Sequence, residues 1–318
     1  MTAEPPDCWV VGSRGLLGSA VHRALVRAGR PVHRAVVPWG TPAASAALDD
    51  LAGDIAATGR PWRVWWCAGA GVIGTDAETF ATECAQVAGF LDRLAELTGP
   101  GSGGALFLAS SAGGVFAGSD GMPYTEDTEP RPISPYGEAK LEAERLVRAF
   151  AARTGVPVVL GRIANLYGPG QDLTKAQGLI SKICTSFLQR EPLSIYVSLD
   201  TARDYVFADD AARLAIAALD RAAQEPPGSV VVKIIHSRAA VTVASLLGEL
   251  RRLTRRRPQV VLAMSPLAKF QVTQLRFRSV VWPDLDALVT TGLGEGMAAT
   301  LAALARDAHV GRRAEPQP

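Results

Sequence analysis

The sequence predicts an α/β fold built on a parallel, doubly wound sheet. Two observations carry that prediction. Short runs of β-branched or aromatic residues alternate with alanine-rich segments, at Val10-Val11, Val32 to Val37, Val64 to Trp66, Ala105 to Leu108, Val156 to Leu160 and Val230 to Ile235. Parallel neighbours need a crossover between them, and a helix is the crossover that such alternation supplies. The first run also leads into Gly12-Ser13-Arg14-Gly15-Leu16-Leu17-Gly18 and then into a helical stretch from Ser19 to Ala28, a strand, a glycine turn and a helix N-terminus in that order.

Taken in order, Cys8-Trp9-Val10-Val11 reads as the first strand. The three glycines after it let the backbone turn tightly and approach a pyrophosphate, whose charge is favoured at the free N–H groups and positive dipole end of the following helix. With 31 glycines in the chain, chance gives about 0.3 matches to this spacing, so the flanking strand and helix carry the argument. Pro38 to Ala47 reads as a flexible segment, and Gly99-Pro100-Gly101-Ser102-Gly103-Gly104 as a loop between helix and strand. A further helix opens at Ser134-Pro135-Tyr136-Gly137-Glu138-Ala139-Lys140. No internal repeat is present, and Gly311 to Pro318 reads as a frayed polar tail.

Tyr136 and Lys140 stand four residues apart, one above the other on a helix face. The ammonium can then sit beside the phenol and favour phenolate, which makes Tyr136 a candidate proton donor and acceptor. That is oxidoreductase chemistry.

At 318 residues, 48% hydrophobic and 20% charged, the chain can bury a large core in one or two domains. A net charge of +2 makes no electrostatic case for nucleic acid, and Arg251, Arg252, Arg255, Arg256 and Arg257 read as a solvated helix face. Cys8, Cys67, Cys84 and Cys184 have neither metal-ligand spacing nor disulfide-scaffold density. No metal is expected, and a reduced cytoplasmic setting fits. Met1 to Asp7 lack the basic and apolar regions of an export signal, and no apolar stretch approaches bilayer-spanning length, so neither export nor membrane insertion is expected.

Further motifs follow in sequence: Cys67-Ala68-Gly69-Ala70, Leu108-Ala109-Ser110-Ser111-Ala112-Gly113-Gly114-Val115-Phe116, and Pro123-Tyr124-Thr125-Glu126-Asp127 leading to Pro132. Arg162-Ile163-Ala164-Asn165-Leu166-Tyr167-Gly168-Pro169-Gly170 and Arg203-Asp204-Tyr205-Val206-Phe207-Ala208-Asp209-Asp210 complete the series. With these in place, the chain resembles the extended short-chain dehydrogenase/reductase family, the sugar-nucleotide epimerases, dehydratases and ketoreductases, over nearly its whole length. The resemblance implies a Rossmann-like dinucleotide domain at about 1–166 and a smaller C-terminal substrate-binding lobe mainly over 167–318, with the chain returning to the first domain at about 203–236. It implies dinucleotide contacts from Gly12, Arg14, Gly15, Leu16, Leu17, Gly18, Ala68 and Gly69, and from Tyr136 and Lys140. It also implies a homodimer packed through helices at Ala77 to Leu97 and Tyr136 to Ala152. The second helix presents Leu141, Ala143, Leu146, Val147 and Phe150, a face the chain's own sheet could equally cover.

Members of this family that bind NAD usually carry an acidic residue at the end of the second strand, on the ribose hydroxyls. Here Pro31-Val32-His33-Arg34-Ala35-Val36-Val37-Pro38 offers none. Arg14 instead precedes the second glycine, where NADP-using relatives often keep a basic residue, and Arg34 or His33 can add a second charge. A guanidinium fork suits a phosphate. NADP is therefore expected, with NAD the alternative.

Relatives usually place Ser or Thr three residues before a Val-Tyr-like pair, here Val115-Phe116, and that position is Ala112. Either Ser111 donates from one residue earlier, or another group such as Thr125 takes over; Ser111 is the residue expected to orient the reacting carbonyl. Sugar-nucleotide 4,6-dehydratases carry an Asp-Glu pair where this chain has Gly113-Gly114, which argues against water elimination. Asn165 and Arg203 match positions that face the nucleotide diphosphate, and Arg276 or Arg278 can serve its second phosphate. The reading that results is an NADPH-linked ketoreductase of a nucleotide-activated keto sugar. A 4-epimerase that keeps NAD bound and a non-catalytic dinucleotide-sensing protein are the alternatives.

Overall fold

In the computed structural model, which describes residues 4–69, 71, 75–99, 101–174, 177–263 and 272–314, the alternating runs close into one six-stranded sheet. Its members are β1 (Asp7–Val11), β2 (Val32–Arg34), β3 (Trp62–Trp66), β4 (Ala105–Ser111), β5 (Val158–Ile163) and β9 (Val230–Ile235). They lie in the order β2-β1-β3-β4-β5-β9, each parallel to its neighbours. Strand order reverses between β1 and β3, so a crevice opens there outside the carboxyl ends of the strands.

β1 shows why such strands read as unbroken apolar runs. Cys8 and Val10 join one cluster with Leu17, Val21 and Leu25 of α1 (Leu16–Arg27) and Leu214 and Leu219 of α7 (Ala208–Ala222). Trp9 and Val11 join the other, with residues of α2 (Ala43–Ala57), α3 (Ala77–Leu97) and α5 (Pro135–Thr154) that include Leu48, Phe90 and Val147. Alternate residues thus meet a helical layer on either face, and none can be polar without cost.

α5 carries the Tyr-Lys pair, and its start is written in the sequence. Ser134 accepts from the Gly137 N–H at 3.3 Å and Pro135 occupies the first turn, where its missing N–H costs nothing. Gly155 ends the helix with φ 73°. Val147 and Phe150 are each 1% exposed, packed into the intrachain core. The covering sheet is therefore the chain's own.

After β5 the chain builds smaller sheets. β6 (Asn165–Tyr167), β8 (Ala202–Phe207) and β10 (Ala240–Thr242) pair in the order β10-β8-β6, and β7 (Leu193–Ile195) pairs with β11 (Val260–Leu262). A third apolar cluster includes Ile183, Leu246, Leu250 and Met297, from α6 (Leu179–Gln189), α8 (Val243–Thr254) and α9 (Leu293–Ala314). A 3-10 helix at Pro283–Leu288 packs on α7. No helix among the described residues is long and apolar enough to cross a membrane.

Several boundaries differ from expectation: α2 begins at Ala43, within the segment expected to be flexible, Arg255 to Arg257 lie beyond the end of α8, and α9 reaches Ala314, into the stretch expected to be a tail. α1 begins at Leu16, inside the glycine motif, and β2 stops at Arg34 instead of Val37. β2 is an edge strand whose single partner is β1. Beyond the Val10↔Arg34 pairing, β1 soon turns at Gly12, and the next residues have nothing to pair with.

Candidate active site

The glycine turn is built by exclusion. Gly12 has φ +84°, and a Cβ added there would lie 2.6 Å from the Ala68 nitrogen; one added at Gly18 would lie 2.2 Å from the Gly12 oxygen. Any side chain at either position would drive the turn from the strand or the helix from the turn. The Gly15 N–H donates to the Gly12 carbonyl at 2.9 Å, and no side chain caps α1. Leu16, Leu17 and Gly18 thus form an uncapped first helical turn directly after the glycines that line the crevice, where an anion is favoured. Leu17 is 6% exposed and packs into the core.

A cavity of about 850 Å³ occupies this crevice. Gly12, Arg14 and Gly15 form one wall, Ala35 to Val37 and Trp39 the end beyond β2, Ala68 and Gly69 the floor beyond β3, and Phe80, Glu83 and Lys140 the wall from α3 and α5. Burial pushes the Cys67 thiol up to about 12, which disfavours its thiolate.

Tyr136 and Ser111 do not line this cavity, but Lys140, which does, stands beside Tyr136. Lys140 Nζ lies 5.7 Å from the centroid of the Tyr136 ring and 3.2 Å from where a Gly69 Cβ would stand. The Phe80 ring is 6.2 Å from that of Tyr136. Ser111 ends β4 and caps α4 (Ala112–Val115), its hydroxyl accepting from the Gly114 N–H at 3.1 Å. Its own proton has no acceptor among the described residues. A Cβ at Gly114 would sit 2.9 Å from Tyr136 Cε1 and 3.3 Å from Ser111 Oγ, so the edge of the Tyr136 ring and the Ser111 hydroxyl both border Gly114. Ala112 is fully buried.

The other sequence-derived residues are placed as follows. Arg14 is exposed, lines the cleft, and has no ion-pair partner among the described residues. His33 is turned away: its Nε2 is 3.1 Å from Asp7 Oδ1 and its ring stacks on Trp9 at 4.6 Å. The side chain of Arg34 lies outside the described residues. No carboxylate from the segment after β2 lines the cleft. His22, Trp39, Phe80 and Glu83 line it without having been expected; Trp39 sits edge-on to Trp66 at 6.3 Å, and Glu83 accepts from the Gly71 N–H at 2.8 Å.

Asn165 and Arg203 come from adjacent strands, Asn165 being in register with Tyr205. The Asn165 amide donates to the Asp204 carbonyl at 3.0 Å. Arg203 donates to the carbonyls of Ala202, at 3.0 Å, and of Val272, and burial lowers its pKa from the usual guanidinium value. Asp204 does not pair with it. That carboxylate accepts from the Ser237 N–H at 2.7 Å and faces His236 at 3.6 Å. Thr125 accepts from the Asp127 N–H at 3.3 Å and makes no hydrogen bond to Ser111 or Tyr136. Arg276 and Arg278 are exposed, alternating with buried Leu275 and Phe277.

The arrangement places Lys140 both on the wall of the glycine-bounded cleft and beside Tyr136. The model of the NAD dependent epimerase/dehydratase family matches residues 8–232. The dTDP-L-rhamnose 4-epimerase of Burkholderia thailandensis is 36% identical over 108 residues, 33% of this chain and 30% of the relative. The dTDP-4-dehydro-6-deoxyglucose reductase of Escherichia coli is 32% identical over 105 residues, 33% of each chain. The chain thus spans about a third of the length of these curated relatives. Among solved structures, MoeE5 in complex with UDP-glucose and NAD superposes with a TM-score of 0.76 at 25% identity, covering 95% of this chain and 99% of that one.

Proposed function

The chain belongs to the NAD dependent epimerase/dehydratase family, and on that premise we propose that it reduces the carbonyl of a nucleotide-activated keto sugar with NADPH. The observation that carries the reading is that the Tyr136 ring edge and the Ser111 hydroxyl both border Gly114, with Lys140 beside the Tyr136 ring and on the wall of the cleft.

The residues present fit a dinucleotide. Gly12 and Gly18 leave no room for a Cβ, and the uncapped start of α1 offers N–H groups to a pyrophosphate. Lys140 would hold the ribose next to the nicotinamide, and Arg14 would meet a 2′-phosphate. When bound, the reduced dinucleotide supplies the hydride. Tyr136 gives its phenolic proton to the oxygen of the former carbonyl, and the Lys140 ammonium stabilises the phenolate left behind. The Ser111 lone pair is committed to the Gly114 N–H, which leaves its O–H to donate to the same carbonyl and hold it in line. Asn165 and Arg203 would face the diphosphate of the substrate. For Arg203 this requires giving up a carbonyl partner it now holds.

A second reading is epimerisation through a transient ketone with NAD retained. It is favoured by the 4-epimerase relative and by the NAD in the MoeE5 complex. Arg14 in the cleft, and the lack of a carboxylate after β2, favour the reductase. The dinucleotide that copurifies tests the choice: reduced or absent NADP accords with the reductase, and tightly held NAD overturns it.

A further inference from the structure

We propose that Glu144 is a positioning residue, its buried carboxylate setting the distance between Tyr136 and Ser111 by tying α5 to the ends of β4 and β5. The proposal rests on the proton-transfer reading of these two residues.

Tyr136, Lys140 and Glu144 follow one another at intervals of four on α5, so all three share a helix face. Glu144 is 2% exposed. Its Oε1 accepts from the Ser110 hydroxyl at 2.6 Å and from Arg162 Nε at 3.0 Å, and its Oε2 from Arg162 Nη2 at 2.8 Å. Ser110 and Arg162 are 5% and 3% exposed and are in register across β4 and β5. Ser110 immediately precedes Ser111. The same guanidinium lies 5.0 Å from the centroid of Phe116, which closes α4. One carboxylate therefore gathers the helix bearing Tyr136 and Lys140, the strand ending in Ser111, and the short helix between Ser111 and its partner.

Apolar side chains could bind these layers about as strongly, since a buried ion pair repays little more than its desolvation. What the fork of Arg162 and the short Ser110 bond add is direction. Charge-assisted and bidentate hydrogen bonds fix an angle and a register, whereas apolar packing tolerates sliding. The reacting groups need such a fix, because about 1 Å of misplacement costs on the order of 100-fold in rate.

Ser110→Ala severs the tie to β4 while leaving the Glu144–Arg162 pair, so the variant keeps its buried charges matched. Two readouts are taken. With 3-fluorotyrosine incorporated and Tyr136 identified by Tyr136→Phe, fluorine NMR reports the surroundings of the phenol without any substrate. Steady-state kinetics on a nucleotide-activated keto sugar separates kcat from KM. The Tyr136 resonance should move in Ser110→Ala, and kcat should fall roughly 10- to 100-fold with KM and dinucleotide affinity within about twofold. Ser110→Thr, which keeps the hydroxyl, should restore both. A lowered melting temperature with an unmoved Tyr136 resonance and normal kcat would make the triad merely structural and overturn the proposal. Should the wild type turn over no keto sugar, the reductase reading fails, and the resonance alone decides the role of Glu144.

Discussion

The Tyr136 ring edge and the Ser111 hydroxyl both border Gly114, at a spacing that leaves no room for a side chain there. A Cβ there would approach Tyr136 Cε1 to 2.9 Å and Ser111 Oγ to 3.3 Å. Gly114→Ala should push the phenol aside and lower kcat by roughly 10-fold or more, with dinucleotide binding unchanged because the cleft is untouched. Turnover equal to wild type would show that the two groups do not act on one atom.

Tyr136→Phe removes the proton and keeps the ring. Turnover should fall at least about 100-fold, while dinucleotide titration, followed by fluorescence, stays near wild type. Lys140→Met should lose turnover and affinity together, since its ammonium stands beside both the Tyr136 ring and Gly69 of the cleft. Retained affinity would remove Lys140 from the ribose.

Arg14→Ala should weaken NADPH by about 1.5–3 kcal/mol, the range for a hydrogen bond to a charged group, and leave NADH almost unchanged. Isothermal titration with both dinucleotides decides it. Equal losses would assign Arg14 to the turn.

His236 supplies a pH dependence. It is 3% exposed, between Asp204 at 3.6 Å and Asp286 at 3.7 Å, with Lys233 2.7 Å from Asp286 on the far side. Burial works against its charge, but the two carboxylates prevail and raise its pKa to about 9. The Arg238 N–H, 3.2 Å from Nδ1, must give up that contact when the nitrogen is protonated, which limits the gain. A folded value above the ordinary 6.5 means stabilisation that is full below about pH 6.5 and lost as pH rises through 9. Urea unfolding at pH 6 and pH 9.5 should therefore differ by on the order of 1–3 kcal/mol more in wild type than in His236→Gln. Parallel pH curves would mean that His236 is neutral in the fold.

Much of this was legible in the chain because it is local. The strand runs, the glycine motif and the capped start of α5 each depend on neighbours within a turn or two. The fate of polar side chains was not, because it is decided by distant partners. Arg203 spends donors on Val272, 69 residues away, and His33 is held by Asp7 because parallel pairing sets it beside Trp9. Trp39 falls in a stretch whose Gly and Pro content reads as flexible, and only the return of β3 beneath it makes it a wall of the cleft. Counting back from Val115-Phe116 gives Ala112, with Ser111 one residue earlier; the orientation of Ser111 comes from α4, too short for any periodicity to reveal.

The central claim, hydride transfer from NADPH to a keto sugar, is tested most directly with NADPH deuterated at the transferable C4 position. The product should carry deuterium at the former carbonyl carbon, with one equivalent of reduced-cofactor absorbance lost per product formed. Interconversion of two sugar epimers with no added cofactor, no net absorbance change and no deuterium in the sugar would contradict it and establish the epimerase in its place.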